Sequence, residues 1–266
     1  MISCAHARGD LMRARHRPSK LLLRHGIVYD ASAWTLAHDA WLRRQRFPSR
    51  PLSFAFEECY GAVLQAKTPW AMLHKLRRAM VRPDRDKLSG EVEVDESYVG
   101  GVAPGKPGRG AEKKAIMAIA VEKRGPGMGR IRLACITDTS ADSLLPFIED
   151  TIEAGSVVYT DGYNGYKPLR RAGYLHQPTS IWTSGDPGHV VMPRVHRVSS
   201  LLKRWLLGTH QGAVRPQQLD YYLDEFTFRF NRRSSNHLGL LFYRLLEQAV
   251  QLEHVPLAAI VGGRSL

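Results

Sequence analysis

Two aspartates occupy positions where the sequence predicts that β-strands end. Asp95 closes the alternating run 91–95, and Asp161 closes the short apolar run 156–161, just before a glycine that lets the chain turn away. Open α/β sheets bind ligands at the carboxyl ends of their strands, and carboxylate oxygens are preferred ligands of Mg²⁺. The two side chains are therefore candidates to converge on one cation. A strand-terminal Asp is also a common turn former or helix cap, so each residue alone is weak evidence.

A histidine and a lysine share one face of a predicted helix further along the chain. Apolar residues at positions 198, 201, 202, 205 and 206 have the spacing of a buried stripe, whereas His196 and Lys203 fall on another face. Seven residues make nearly two helical turns, so both side chains point the same way, about 10 Å apart along the axis. The imidazole can bind a metal ion and the ammonium a phosphate. Taken alone, the pair is more simply interpreted as a polar helix face.

The elements that must position these residues indicate an α/β fold with a mixed sheet flanked by helices. Three predicted strands follow one another as a meander, and a helix then precedes the fourth strand. Further amphipathic helices follow from about residue 196, and a short basic helical region precedes the first strand. The predicted strands are 91–95, 114–121, 131–136 and 156–161.

The net charge is strongly basic and unevenly distributed. The 266 residues carry 38 Lys and Arg against 25 Asp and Glu, a formal net charge of +13, and residues 1–90 hold 17 basic and 7 acidic side chains, a net +10. Such a surface gathers phosphates through counterion release, so nucleic acid is the leading partner and an anionic membrane the second candidate. No apolar run is long enough to span a bilayer. Three widely spaced cysteines exclude a disulfide framework and favour a reducing cytoplasm.

Basic side chains at several places are candidate nucleic-acid contacts. They lie on a predicted helix after residue 70, in the Gly- and Pro-rich loop 100–110, beside the His-Lys helix face, and among aromatic residues near position 230, which fit a core helix equally well. The candidates are Lys75, Arg77, Arg78, Arg82, Lys106, Arg109, Lys203, Arg204, Arg229, Arg232 and Arg233. The loop fits Gly-x-x-x-x-Gly-Lys, but Pro107 stands where a nucleotide-binding loop needs Ser or Thr, so no nucleotide cofactor is expected.

Four segments together resemble those of bacterial insertion-sequence transposases of the DDE superfamily, which have an RNase H-like catalytic domain. They are VEVDESYVGG (92–101), YTDGYNGY (159–166), HRVSSLLKRWLLGTH (196–210) and YLDEFTFRFNRR (222–233), in the order found in the family. The resemblance runs from about Trp70 to Leu246. Four linked motifs are far more specific than any single one.

The resemblance implies a DNA transposase that cleaves and transfers strands with two divalent cations, Mg²⁺ or Mn²⁺. Asp95 and Asp161 match the first two metal-binding carboxylates, His196 falls on the third position, and Lys203 matches the lysine of the family's helix. That third position is usually Glu. An imidazole removes one negative charge and favours softer ions, so Mn²⁺ becomes more plausible beside Mg²⁺. Glu225 is a competing third acid, although its segment is more simply interpreted as a packing helix.

The resemblance also implies partners and a domain organisation. The partners are the DNA of the element ends and of the target, bound by a homodimer in the bacterial cytoplasm, associated with the nucleoid and without a membrane. The predicted regions are an irregular basic arm (1–52), a helical DNA-binding or linker region (53–87), the RNase H-like catalytic domain (88–250) and a tail (251–266). Family members often begin with a four-cysteine zinc ribbon, whereas this sequence has no Cys-x-x-Cys pair, so we expect the arm to be either remodelled or the product of a truncated or frame-shifted element.

Two alternatives to a working transposase remain open from the sequence. One is a nuclease of the same fold that hydrolyses DNA or RNA without joining strands. The other is a non-catalytic DNA-binding remnant, which the unusual front third and His196 favour. Strand joining by a free 3′-hydroxyl end separates the transposase from the nuclease, and any metal-dependent cleavage excludes the remnant.

Overall fold

The chain forms two compact units, and the computed structural model describes residues 67–82, 84–100, 114–179, 188–210 and 214–262. The smaller unit comprises residues 1–82 and 235–262, and the larger comprises 83–234 with 263–266. The predicted catalytic domain extended to residue 250, whereas the larger unit ends its main segment at Ser234. The difference arises because the helix Leu238–Gln251 packs against the helix Lys67–Ala79.

The described elements follow the predicted order. One helix precedes a meander of three strands, and most of the helices follow the sheet. The helices are α1 (Lys67–Ala79), α2 (Ala141–Thr151), α3 (Gly188–Val191), α4 (Pro193–His210), α5 (Leu219–Asn231), α6 (Leu238–Gln251) and α7 (Leu257–Gly262), with short 3₁₀ helices at Asn164–Arg170 and Pro216–Gln218. The strands are β1 (Glu91–Val99), β2 (Ala115–Arg124), β3 (Gly127–Ile136), β4 (Val157–Thr160) and β5 (Leu175–Pro178). None of the helices in the described part of the chain is long and apolar enough to cross a bilayer.

The five strands form one mixed sheet in the order β3-β2-β1-β4-β5. β1, β2 and β3 are an antiparallel meander, whereas β4 pairs in parallel with both β1 and β5. A parallel pair needs a crossover connection, and α2 provides it between β3 and β4. The predicted α/β fold class with a mixed sheet flanked by helices is confirmed.

Helices cover both faces of the sheet because each face is apolar. On one face, Ile119 of β2 and Leu133 of β3 form a core with α4 and α5. On the other face, Val92 and Val94 of β1 pack with Leu144 of α2 and with residues of the first 3₁₀ helix. Successive strand residues point to opposite faces, so β1 directs alternate side chains toward α4 and toward α2.

The strand β1 is longer than the sequence predicts. The prediction that Asp95 ends the strand is wrong, because Ser97, Tyr98 and Val99 continue the antiparallel pairing with β2. The parallel pairing with β4 is shorter and runs only as far as Glu93 opposite Tyr159. Asp95 therefore lies in the middle of β1, just beyond the part of the strand that pairs with β4.

Candidate active site

Three carboxylates meet where β1 extends beyond β4. Asp95, Glu96 and Asp161 each offer a side-chain oxygen, and these atoms all lie within 4.8 Å of one another. Asp95 and Glu96 are on the unpaired part of β1, and Asp161 directly follows the last residue of β4. The structure thus brings together the two predicted aspartates and adds Glu96, which the sequence analysis did not select.

Asp161 is held by the turn that follows β4. Its Oδ1 accepts a hydrogen bond from the backbone N–H of Tyr163 at 2.9 Å. Gly162 has a φ of 78°, a conformation that L side chains rarely adopt, so this position favours glycine. A Cβ on Gly165 would lie 2.6 Å from the carbonyl oxygen of Thr139, which leaves room for glycine alone. The glycines of the segment 159–166 therefore let the chain leave β4 and pack closely against the loop before α2.

Tyr166 connects this turn to Glu96. Its hydroxyl donates a 2.7 Å hydrogen bond to Oε2 of Glu96, which is 9% exposed. Burial raises the pKa of Tyr166 well above its ordinary value, and the charges of Glu96, Asp95 and Asp161 act in the same direction. The hydroxyl therefore stays protonated and acts as a donor to the carboxylate.

Glu93 fixes the first turn of α4 on β1. Its carboxylate, 3% exposed, accepts hydrogen bonds from the backbone N–H groups of Arg194 (2.9 Å) and Val195 (3.1 Å) and from Nη1 of Arg194 (2.8 Å). The backbone N–H groups of the first helical turn have no partner within the helix, and a carboxylate satisfies them and complements the helix dipole. Farther along, Oγ of Ser97 is 2.9 Å from Oγ of Ser199. These bonds determine where the next residues of α4 lie.

His196 and Lys203 both lie near Asp95. Nε2 of His196 is 4.0 Å from Oδ2 of Asp95, and the two side chains are 37% and 18% exposed. Burial lowers the pKa of Lys203, the nearby Asp95 opposes that shift, and Lys114 adds to it. The helix face that carries the histidine and the lysine is thus turned toward the carboxylates. His196 is not a member of the group of three whose ligand atoms lie within 4.8 Å of one another.

The donor atoms suit a hard divalent cation. Mg²⁺ binds oxygens at about 2.0–2.1 Å, so two ligands of one ion lie about 3–4 Å apart, and a pair of ions spreads the ligands somewhat more. The carboxylates of Asp95, Glu96 and Asp161 are within this reach, and an imidazole nitrogen lies beside them. Oxygen donors with one borderline nitrogen accept both Mg²⁺ and Mn²⁺.

Glu225, the competing third acid, lies elsewhere. It is 3% exposed within α5 and is 3.5 Å from the guanidinium of Arg229. That guanidinium also lies 5.9 Å from the ring centre of Trp205. Glu225 does not belong to the group of carboxylates, and its neighbour Phe226 is part of the core, which agrees with a packing helix.

Several of the predicted DNA contacts are engaged within the protein. Arg232 lies over the ring of Phe228 at 3.9 Å, and Arg233 lies over Phe230 at 4.2 Å and donates to the carbonyl oxygen of Met128. Arg77 is only 1% exposed and is 3.0 Å from Nδ1 of His74, so its burial contradicts the prediction that it contacts DNA. Arg82, Lys203 and Arg204 are exposed, Lys75 and Arg78 are half-buried, and Lys106 and Arg109 lie outside the described residues.

Residues 87–231 match the ISXO2-like transposase domain, and this region is more than half of the chain. The chain belongs to that family.

The chain is also similar to other known proteins. A protein of Halobacterium salinarum, described as an uncharacterized protein in transposable element ISH50, is 29% identical over 226 residues, which cover 77% of this chain and 72% of the relative. Among solved structures, the Mos1 transposase paired-end complex with left transposon end has 11% identity and a TM-score of 0.26, with 94% of this chain and 89% of that chain covered. The Mos1 mariner paired end complex with Mn has 11% identity and a TM-score of 0.21, with 95% and 94% covered. Scores this low add nothing to the fold assignment.

Proposed function

We propose that this protein is a DNA transposase that cuts the ends of its insertion sequence and joins them to target DNA with two divalent cations, Mg²⁺ or Mn²⁺. The observation that carries the proposal is the convergence of Asp95 and Asp161 beside His196, in a chain that belongs to a transposase family. A lysine whose pKa is lowered, on the helix face beside such a group, is also typical of a functional site. The protein acts on DNA as a homodimer within the cytoplasm, near the nucleoid.

Each side chain has a role that its position supports. Asp95 lies close to both Asp161 and His196, so it would hold both ions, whereas Asp161 and His196 would each hold one. When bound there, the ions supply the Lewis acidity that phosphodiester transfer requires. Lys203 holds a backbone phosphate as a point charge, and Arg204, exposed on the same helix, extends the basic surface. The protein thus orients the scissile phosphate against the carboxylates.

Cleavage and joining of labelled DNA test this function. The purified full chain is incubated with Mn²⁺ or Mg²⁺ and with duplexes that carry the two flanks of its reading frame. We expect nicking of these duplexes and transfer of the freed 3′ ends to a plasmid. Asp95→Ala and Asp161→Ala each abolish both reactions while the affinity for the duplex, measured by fluorescence anisotropy, is retained. The same change at the exposed Asp150 leaves both reactions intact.

The possible outcomes separate the alternatives. Cleavage without joining supports a nuclease of the same fold. Binding without cleavage in either metal supports a DNA-binding remnant. Full cleavage by the Asp95 and Asp161 variants would exclude the proposed site.

A further inference from the structure

We propose that Glu96 supplies the third carboxylate of the metal site. This inference rests on the proposed function and deepens it, because the family pattern assigns the third ligand to the helix position that His196 occupies. Glu96 is adjacent to Asp95 in sequence, and its carboxylate lies within 4.8 Å of the ligand atoms of both aspartates. The role of Glu96 is that of an ion ligand on the sheet, in addition to the imidazole of α4.

The strand geometry explains how two adjacent residues reach one site. Asp95 points toward α4, and Glu96 points toward the opposite face of the sheet, where Val94 and Tyr166 form the core. A neighbouring strand would separate the two faces. β4, however, pairs with β1 only as far as Glu93, so both carboxylates border the same open edge, next to Asp161.

Tyr166 orients the Glu96 carboxylate without neutralising it. The tyrosine hydroxyl is a neutral donor, and its 2.7 Å bond fixes Oε2 on a residue that is 91% buried. A buried carboxylate close to two others is electrostatically costly unless positive charge compensates it. A bound divalent cation provides that charge, and the tyrosine holds the ligand in position in the manner of an outer-shell partner.

The charge of the site gives a second argument. A site with two aspartates and a glutamate presents three negative charges to its cations, whereas histidine at the third position leaves two. Glu96 restores the third charge from the sheet side. His196, with Nε2 4.0 Å from Asp95, then contributes a nitrogen donor beside the carboxylates and does not have to replace the missing charge.

Equilibrium binding of Mn²⁺ to the full chain tests the inference. Free Mn²⁺ is measured by electron paramagnetic resonance in the absence of DNA, so that the readout does not depend on activity. Glu96→Gln keeps the size of the side chain and an oxygen that accepts from Tyr166, but it removes the charge. We expect this variant to bind Mn²⁺ at least about tenfold more weakly than the wild type. Tyr166→Phe keeps the charge of Glu96 and removes only the hydrogen bond that orients it. We expect its Mn²⁺ affinity to fall only a few-fold.

A second, compensating substitution keeps the inference testable if Glu96→Gln alone folds poorly. The double variant Glu96→Gln/His196→Glu moves the third charge to the helix, and we expect it to recover most of the Mn²⁺ affinity. Circular dichroism checks the fold of each variant. A poorly folded single variant leaves the decision to the double variant and to Tyr166→Phe.

The controls distinguish failure of this inference from failure of the proposed function. If Asp95→Asn loses Mn²⁺ binding and folded Glu96→Gln stays within twofold of the wild type, Glu96 is not a ligand and the proposed function stands. If Glu96→Gln folds poorly, the same conclusion follows when the double variant binds Mn²⁺ as tightly as the single variant His196→Glu. If the wild type binds no Mn²⁺, or Asp95→Asn binds it normally, both proposals fail.

Discussion

The candidate site joins two regions that hold their side chains by different means. On the sheet side, Asp95 and Asp161 are placed by strand pairing and by the tight turn after β4. On the helix side, His196 and Lys203 are placed by the docking of α4 on β1, and Glu93 makes three of the hydrogen bonds that hold it there. The sheet side is therefore fixed by the backbone, whereas the helix side is held by apolar packing against the sheet and by the hydrogen bonds to Glu93.

This difference matters because metal binding and the reaction on DNA tolerate different displacements of the side chains. Positions set by backbone pairing tolerate little displacement, which suits ligands that must keep a fixed spacing around a metal. A helix held by side-chain contacts alone, apolar and polar, can shift relative to the sheet without breaking the strand pairing. We therefore expect substitutions on the sheet side to affect stability and metal binding, and substitutions on the helix side to affect the reaction on DNA.

Matched glycine substitutions in the two regions test most directly whether the sheet side is more rigid than the helix side. A Cβ at Gly165 meets the carbonyl oxygen of Thr139 at 2.6 Å, whereas a Cβ at Gly208, in α4, meets nothing within 4 Å. We expect Gly165→Ala to lower the free energy of unfolding by about 3 kcal/mol, because backbone atoms must move. Gly208→Ala raises it by up to about 1 kcal/mol, because alanine favours the helix. Urea unfolding followed by circular dichroism measures both, and equal effects would show that the two regions are equally adaptable.

Removal of the charge of Glu93 tests the helix side alone. Glu93→Gln keeps oxygen and nitrogen atoms near α4 but loses the ionic contact with Arg194, which still donates to the carbonyl oxygens of Gly125 and Gly127. We expect DNA cleavage to fall by about 10- to 100-fold, as for other residues that position a functional group. Mn²⁺ affinity falls less, because three of the four proposed ligands, Asp95, Glu96 and Asp161, belong to the sheet side and only His196 belongs to α4. A parallel loss of Mn²⁺ affinity in this variant would show that the two regions are not independent.

The sequence indicated which residues come together at the candidate site, but not the geometry that brings them there. Alternation and helical spacing placed the meander and α4, and linked motifs selected Asp95, Asp161 and His196, which the structure brings to one place. Glu96 was missed because the predicted strand ended at Asp95, whereas the observed strand continues to Val99. Only the shorter pairing of β4, a long-range feature, opens the edge that lets it join the aspartates.

Other misses have the same long-range origin. The role of Glu93 depends on α4, whose first turn lies about a hundred residues away along the chain, and no local pattern indicates that contact. The stacking of Arg232 and Arg233 on Phe228 and Phe230 was also not predicted, and their role as DNA contacts stays a prediction. The four-residue strand β5 was not predicted, because its sequence LHQP lacks both alternation and β-branched residues.

A pH dependence of stability on the sheet side is the smallest effect we expect. Nε2 of His176, in β5, lies 2.8 Å from Oγ1 of Thr160, the residue before Asp161, and the histidine is 8% exposed. Burial lowers the pKa of His176 below its ordinary value, and Arg170 adds to the shift. The unfolded chain therefore takes up a proton at higher pH than the folded chain, so the free energy of unfolding falls as the pH decreases below about 6.5. His176→Gln flattens this decline in metal-free urea titrations, whereas the same change at the exposed His254 leaves it unaltered; an unchanged slope in the His176 variant would assign the decline to other groups.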